Sequence, residues 1–230
     1  MAGLFVLYTN APASALTTFY SDFGPSDTYY QSGGYSVAGA SAPTTYSAWG
    51  VQFTASSSGA LTQIDLALTS NERAVTGNFE PSGANVYLYN DVSGTPGSSQ
   101  IGSWTVSASG QFGSTNDTVV TIGTINGINL TSGAAYWLVI VPSDSSGTTF
   151  DVWNLNSLSP LATGNMAAYS DPTQIPSGGS VITRDLPAFD LLGNAAATPL
   201  PATLPLFATG LGGLGLLGWR KKRKAAALAA

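Results

Sequence analysis

The 230-residue sequence predicts an all-β fold: a single antiparallel β-sandwich or jelly-roll-like domain over residues 17–194, followed by a short C-terminal transmembrane helix. Three observations carry that expectation. Apolar and polar residues alternate with period two in several short runs, Gly/Pro/Asn/Ser clusters separate those runs, and the body shows no amphipathic helical pattern. Short strands at this spacing suit a sandwich or a jelly roll.

The strands follow in order. Val51 to Thr54 and Leu61 to Leu68 alternate, which puts Ile64, Leu66 and Leu68 on one face and Gln63 and Asp65 on the other. Val86 to Tyr89 is expected to be a strand, then a turn-rich stretch Asn90 to Gly97, then a strand Ile101 to Val106. Val119 to Ile125 alternates weakly. Tyr136 to Val141 is continuously apolar and ends at Pro142, as a strand buried on both faces would. After a Ser/Gly turn at Ser143 to Gly147, alternation resumes over Thr149 to Trp153.

Composition excludes several function classes. The chain has no cysteine and no histidine, which removes disulfides, thiolate and imidazole metal sites, and every Ser-His or Cys-His arrangement. An enzyme would have to work through carboxylates alone. Charged residues make up 8%, against about 25% in ordinary soluble domains. Up to Trp219 only Arg73 and Arg184 offset twelve acidic residues, so no basic patch exists to meet nucleic acid.

The two ends read differently from the body. Residues 1–16 hold a weak apolar run, Leu4 to Tyr8, and a small-residue site at Ala13-Ser14-Ala15. The run is shorter than the usual 7–15 residues of a secretory signal and lacks a positive start. It is read as a truncated signal peptide whose start lies upstream; an ordinary first strand is the alternative. At the other end, residues 195–203 form a linker with Pro199-Leu200-Pro201, Leu204 to Trp219 is an apolar run, and Arg220, Lys221, Lys222, Arg223 and Lys224 form a basic cluster in the tail 220–230. Such a cluster holds its end in the cytoplasm. Sixteen residues span about 24 Å as a helix, short of a ~30 Å hydrocarbon core, and Pro205 with five glycines weakens it further. The segment is marginal as a permanent anchor and adequate as a transient signal.

Proline step, short apolar run with Trp219, then basic cluster: in this order the tail resembles the PEP-CTERM sorting domain of Gram-negative bacteria, with Leu200 in place of the usual acidic residue. The resemblance implies recognition by an exosortase at the inner membrane, processing near Pro201, and transfer of the body to the cell surface or medium. A plain uncleaved anchor is one alternative. A sortase signal is another, since Leu200-Pro201-Ala202-Thr203 begins like LPxTG, but Leu204 stands where glycine is required. In the body, Trp49 to Phe53, Leu61 to Leu68, Asn85 to Tyr89 with Gly94-Thr95-Pro96-Gly97, and Tyr136 to Val139 resemble the choice-of-anchor extracellular domains, type R among them. No activity follows from that likeness.

Two sets of residues could carry binding. Trp49, Trp104, Trp137 and Trp153, with Tyr87 and Tyr89, either fill the core or offer rings for sugar stacking. Trp137 belongs to the core by its apolar run. Trp153, beside Asp151 and Asn154 and next to a loop, is the candidate exposed ring for a glycan. Among carboxylates, Asp22 and Asp27 flank Gly24-Pro25, and Asp65 faces the polar side of its strand, so a structural Ca²⁺ is conceivable. Without a DxDxDG spacing, turn capping by the loop aspartates competes with it. Glu72 and Glu80, in a Gly/Asn-rich loop, are the weakest candidates for an acid–base pair. No metal or cofactor is otherwise called for. The expected function is a non-enzymatic exported protein of the cell envelope or exopolysaccharide matrix. A carbohydrate-binding module for the producer's own exopolysaccharide is the alternative, and a carboxylate-based glycan hydrolase trails.

Overall fold

In the computed structural model, residues 15–71, 82–115 and 118–196 are described. The small-residue site, Glu72, Arg73, Glu80, and the whole tail from Pro199 through Trp219 to Lys224 lie outside them, apart from Ala15. The chain divides into two units, Met1–Ala195 and Ala196–Ala230.

The first unit is all-β, with fourteen strands among the described residues: β1 (Thr17–Ser21), β2 (Tyr29–Ala38), β3 (Ala48–Thr54), β4 (Gly59–Leu66), β5 (Leu68–Ser70), β6 (Gly83–Val92), β7 (Thr95–Ser107), β8 (Val120–Ile122), β9 (Asn129–Leu130), β10 (Ala135–Pro142), β11 (Phe150–Asn156), β12 (Thr163–Tyr169), β13 (Ser180–Asp185) and β14 (Phe189–Ala195). Short 3-10 turns at Pro25–Asp27 and Pro172–Gln174 interrupt them. No helix among the described residues is long and apolar enough to cross a membrane.

The strands form three antiparallel sheets. One runs β1-β14-β4-β8 with β9 also on β4, one runs β13-β12-β3-β10-β6-β7, and a third runs β2-β11-β5. The arrangement is β-sandwich-like, because a single apolar cluster draws on all three sheets: Phe19, Leu61, Ile64, Phe189 and Leu191 from the first, Val51, Phe53, Leu88, Leu138 and Ile140 from the second, and Val37, Leu68 and Trp153 from the third. Strands β3, β6 and β10 contribute alternate residues to that cluster, such as Ala84, Val86 and Leu88 of β6, as period two requires. Aromatic rings join the first two sheets, with Phe53 against Tyr20 at 5.4 Å and edge-on to Phe189 at 5.9 Å.

The apolar run Tyr136 to Val141 is, as expected, a central strand buried on both faces. Two other readings change. The stretch Asn90 to Gly97 is mostly strand: the turn is Ser93-Gly94 alone, both at positive φ (55° and 83°), so β6 and β7 form one tight hairpin. The run Leu61 to Leu68 breaks at Ala67, where the chain leaves β4 and enters β5 in a different sheet. Ile64, Leu66 and Leu68 still share the main core.

Candidate functional site

Trp153 is not an exposed platform. It lies on the middle strand of the β2-β11-β5 sheet and is fully buried, with its ring 5.6 Å from that of Phe189 and its Nε1 donating to the Ala188 carbonyl at 3.1 Å. Its sequence neighbours are polar for internal reasons. Asp151 is buried and accepts from Ser82 Oγ. Asn154, one residue beyond Trp153, lies on the opposite face; its Oδ1 accepts from Thr69 and its Nδ2 donates to the carbonyls of Tyr30 and Gln31. Those two carbonyls belong to an irregularity in β2, where Asn154 pairs with Gly34 but Leu155 with Tyr30. The amide satisfies backbone groups that the bulge takes out of the ladder. The expected trio of Trp153, Asp151 and Asn154 is therefore structural, and no shared surface unites it.

The groove lies elsewhere, on the outward face of the six-stranded sheet. Register places Tyr89 beside Trp137 and Trp137 beside Gln52 in one row, and Tyr87, Val139, Gly50 and Ala167 in the next. Gly50 lets this layer pack closely: a β-carbon there would lie 3.1 Å from Val139 Cγ2 and 3.5 Å from Trp137 Cε3. Trp137 is buried, as its apolar run implies, but in this second cluster with Tyr46, Tyr89, Val139 and Tyr169 instead of the main core. Its Nε1 donates to Asp91 Oδ1 at 2.7 Å, which also accepts from Gln52 Nε2 at 2.7 Å. Asp91 Oδ2 takes the Gly94 N–H at the hairpin tip. That carboxylate is consumed in holding the sheet edge and turn together.

On the same face opens a groove of about 350 Å³, bounded by Tyr46, Tyr87, Tyr89, Asn85, Gln100 and Ser145 with Ile175. None of its lining residues is charged. The rings of Tyr46 and Tyr89 are buried and Tyr87 is half-buried. Burial, then the neighbouring Tyr87 phenol, pushes the Tyr46 and Tyr89 hydroxyls up to about 12, so they stay neutral donors at any ordinary pH. A second opening of about 350 Å³ shares Tyr46 and runs along Thr44, Ser47, Trp49 and Ser180. Trp49 is half-buried there, tilted over Tyr35 at 4.7 Å, with Nε1 donating to the Ser36 carbonyl. Trp104 packs partly buried against the main core. The sequence reading singled out Tyr87 and Tyr89, but missed Tyr46, whose place in the groove depends on the pairing of distant strands.

The carboxylates are brought together in part. Asp22, expected in an open loop, is buried: its Oδ1 accepts from the Phe189 N–H at 2.8 Å and its Oδ2 from Tyr20 at 3.2 Å. Burial pushes its carboxyl up to about 7 despite those donors. Asp65 is buried rather than solvated, and Asp190, which sequence reading overlooked, faces it from β14. Burial, then Asp65 and Asp27, push Asp190 up to about 7. Among the described residues no three carboxylates are grouped as a metal site.

Comparison with protein-family models and with curated proteins finds no match for this chain.

Proposed function

We propose that the chain is an exported, non-catalytic protein of the cell envelope or extracellular matrix, handed outward by an exosortase that reads its tail. What supports this is the order of features from Pro199-Leu200-Pro201 through the apolar run to Arg220–Lys224, attached to an acidic β body without cysteine or histidine. Fractionation of cells with and without an exosortase tests it. The body should reach the surface or the medium only when the enzyme is present. Equal release from both strains contradicts it.

One observation favours a binding role within that setting. The tyrosine groove has no charged lining residue, is rich in hydroxyls and amides, and shares Tyr46 with a second opening. Neutral phenols, amides and serines suit the hydroxyls of a neutral polysaccharide, whereas an anionic polymer would find no cation there. The sandwich and jelly-roll-like reading of the fold agrees with such a use of a sheet face. Tyr87, the half-buried ring, is the residue to test. By analogy with bases stacked on aromatics, losing such a ring costs ~1–3 kcal/mol, so Tyr87→Ala should weaken retention of the full-length protein on the producer's exopolysaccharide about tenfold or more. Affinity electrophoresis reads the retention. Unchanged retention of the variant, or no retention of the parent by any neutral polysaccharide, removes the binding role and leaves the sorting proposal intact.

A further inference from the structure

We propose that Asp65 and Asp190 form a Ca²⁺ site on the outward face of the five-stranded sheet, next to the turn that carries Asp27. The two residues are direct cross-strand partners on β4 and β14. Their flanking residues, Ile64, Leu66, Phe189 and Leu191, all enter the main core. Period two then sends both carboxylates together to the other face.

That face is not solvent. Asp65 is 8% exposed and Asp190 6%. Asp65 Oδ2 accepts from Gln63 Nε2 at 2.7 Å, and the Asp190 carboxyl meets the backbone and the carboxyl of Asp65, but no donor reaches Asp65 Oδ1 or Asp190 Oδ1, both buried. Two adjacent buried carboxylates with unmatched oxygens cost several kcal/mol unless something neutralises them. Among the described residues no basic side chain does so: the single cation there, Arg184, interacts with Tyr35. The other titratable groups nearby add negative charge or none. Asp22 and Asp27 both act on Asp190, and Tyr20 donates to Asp22 and stays protonated, its phenol driven far up by burial.

A hard cation answers this arrangement better than a proton shared between Asp65 and Asp190, because Asp22 and Asp27 add acidic groups that the shared proton leaves uncompensated. Asp65 Oδ1 and Asp190 Oδ1 supply two of the 6–8 oxygens that Ca²⁺ takes, and water with neighbouring carbonyls completes the shell. So few protein ligands place the affinity in the weak class of extracellular modules, about 10⁻⁴–10⁻³ M. A site of that strength fills outside a cell and empties inside it. The inference stands on the acidic pair alone and does not depend on the groove.

Thermal melting of the full-length protein tests it, at pH 8 in EDTA and in 10 mM CaCl₂. Calcium at ten to a hundred times its dissociation constant should raise the Tm by roughly 3–10 °C. Asp65→Asn and Asp190→Asn should each abolish the rise while melting in EDTA at or above the parent, since neutralising either partner removes the repulsion between the two. Equal Tm values with EDTA and calcium at pH 8 would mean that the pair only shares a proton, and would overturn the proposal. So would a calcium shift that survives both asparagine variants, because the ion would then lie elsewhere.

Discussion

Trp153→Ala should lower the melting temperature of the full-length protein by roughly 8–15 °C and leave polysaccharide retention unchanged. The indole is fully buried between sheets, against Phe189, and truncating a buried Trp costs about 3–5 kcal/mol. For a chain of this size, each kcal/mol moves Tm by about 2–4 °C. The Ala188 carbonyl loses the indole donor but keeps the Ala67 N–H, so most of the loss is the cavity. Trp153→Phe, which keeps most of the volume, should recover over half of it. A fold that tolerates Trp153→Ala while losing retention would instead make this ring a ligand platform, and would contradict its place in the core.

Asn156→Ala should be nearly as damaging, although it removes few atoms. The side chain is fully buried and uses its full hydrogen-bonding capacity. Nδ2 donates to the carbonyls of Ala162 at 3.2 Å and Leu186 at 2.6 Å, and Oδ1 accepts from the N–H groups of Leu158 at 3.2 Å and Ala162 at 3.0 Å. One amide thus pins the turn after β11 to the start of the β14 approach. Each orphaned buried backbone group costs about 1–3 kcal/mol, and those of the turn recover part of that from water. A loss of roughly 3 kcal/mol or more is expected in urea unfolding monitored by tryptophan fluorescence. Asn156→Asp should cost at least as much, because it sets a carboxylate against two carbonyls. A change below about 1 kcal/mol for both would mean that this network does not hold the turn.

Asn156 also illustrates where sequence reading stops. Runs with clean period-two contrast or unbroken apolarity, such as Ile64 to Leu66 and Tyr136 to Val141, were legible because burial alone decides them. Strand β2 was not, since it is built on Tyr, Ser and Gly. A β-carbon at Gly34 would collide with Val152 and the Trp153 carbonyl, so its glycine is demanded by a neighbour 118 or more positions away. Likewise β12, Thr163–Tyr169, is made of small residues whose strand character comes from pairing with β3 and β13. Polar residues misled in a consistent way. Asp151 and Asn154 suggested a solvated surface around Trp153, but they satisfy Ser82, Thr69 and the β2 bulge inside the protein. The candidate sites depend on register even more strongly. Nothing local announces that Asp190 meets Asp65, or that Tyr46 closes the wall beside Tyr87 and Tyr89; the β14–β4 pairing brings the first two together, and the pairing of β10 with both β3 and β6 the others.

In this account, the sheets give an exported body two outward faces with different chemistry. One holds an uncharged tyrosine groove and the other a buried acidic pair. Neither matters to the cell unless the tail delivers the body outside, and export by an exosortase is the claim on which the account turns. Intact-mass analysis of the extracellular fraction, from a host with an exosortase, tests it most directly. The mature protein should lack Arg220 to Lys224, with its new end near Pro201. A full-length species that still carries the basic tail and remains in the inner membrane would contradict the sorting proposal and make the segment a plain anchor.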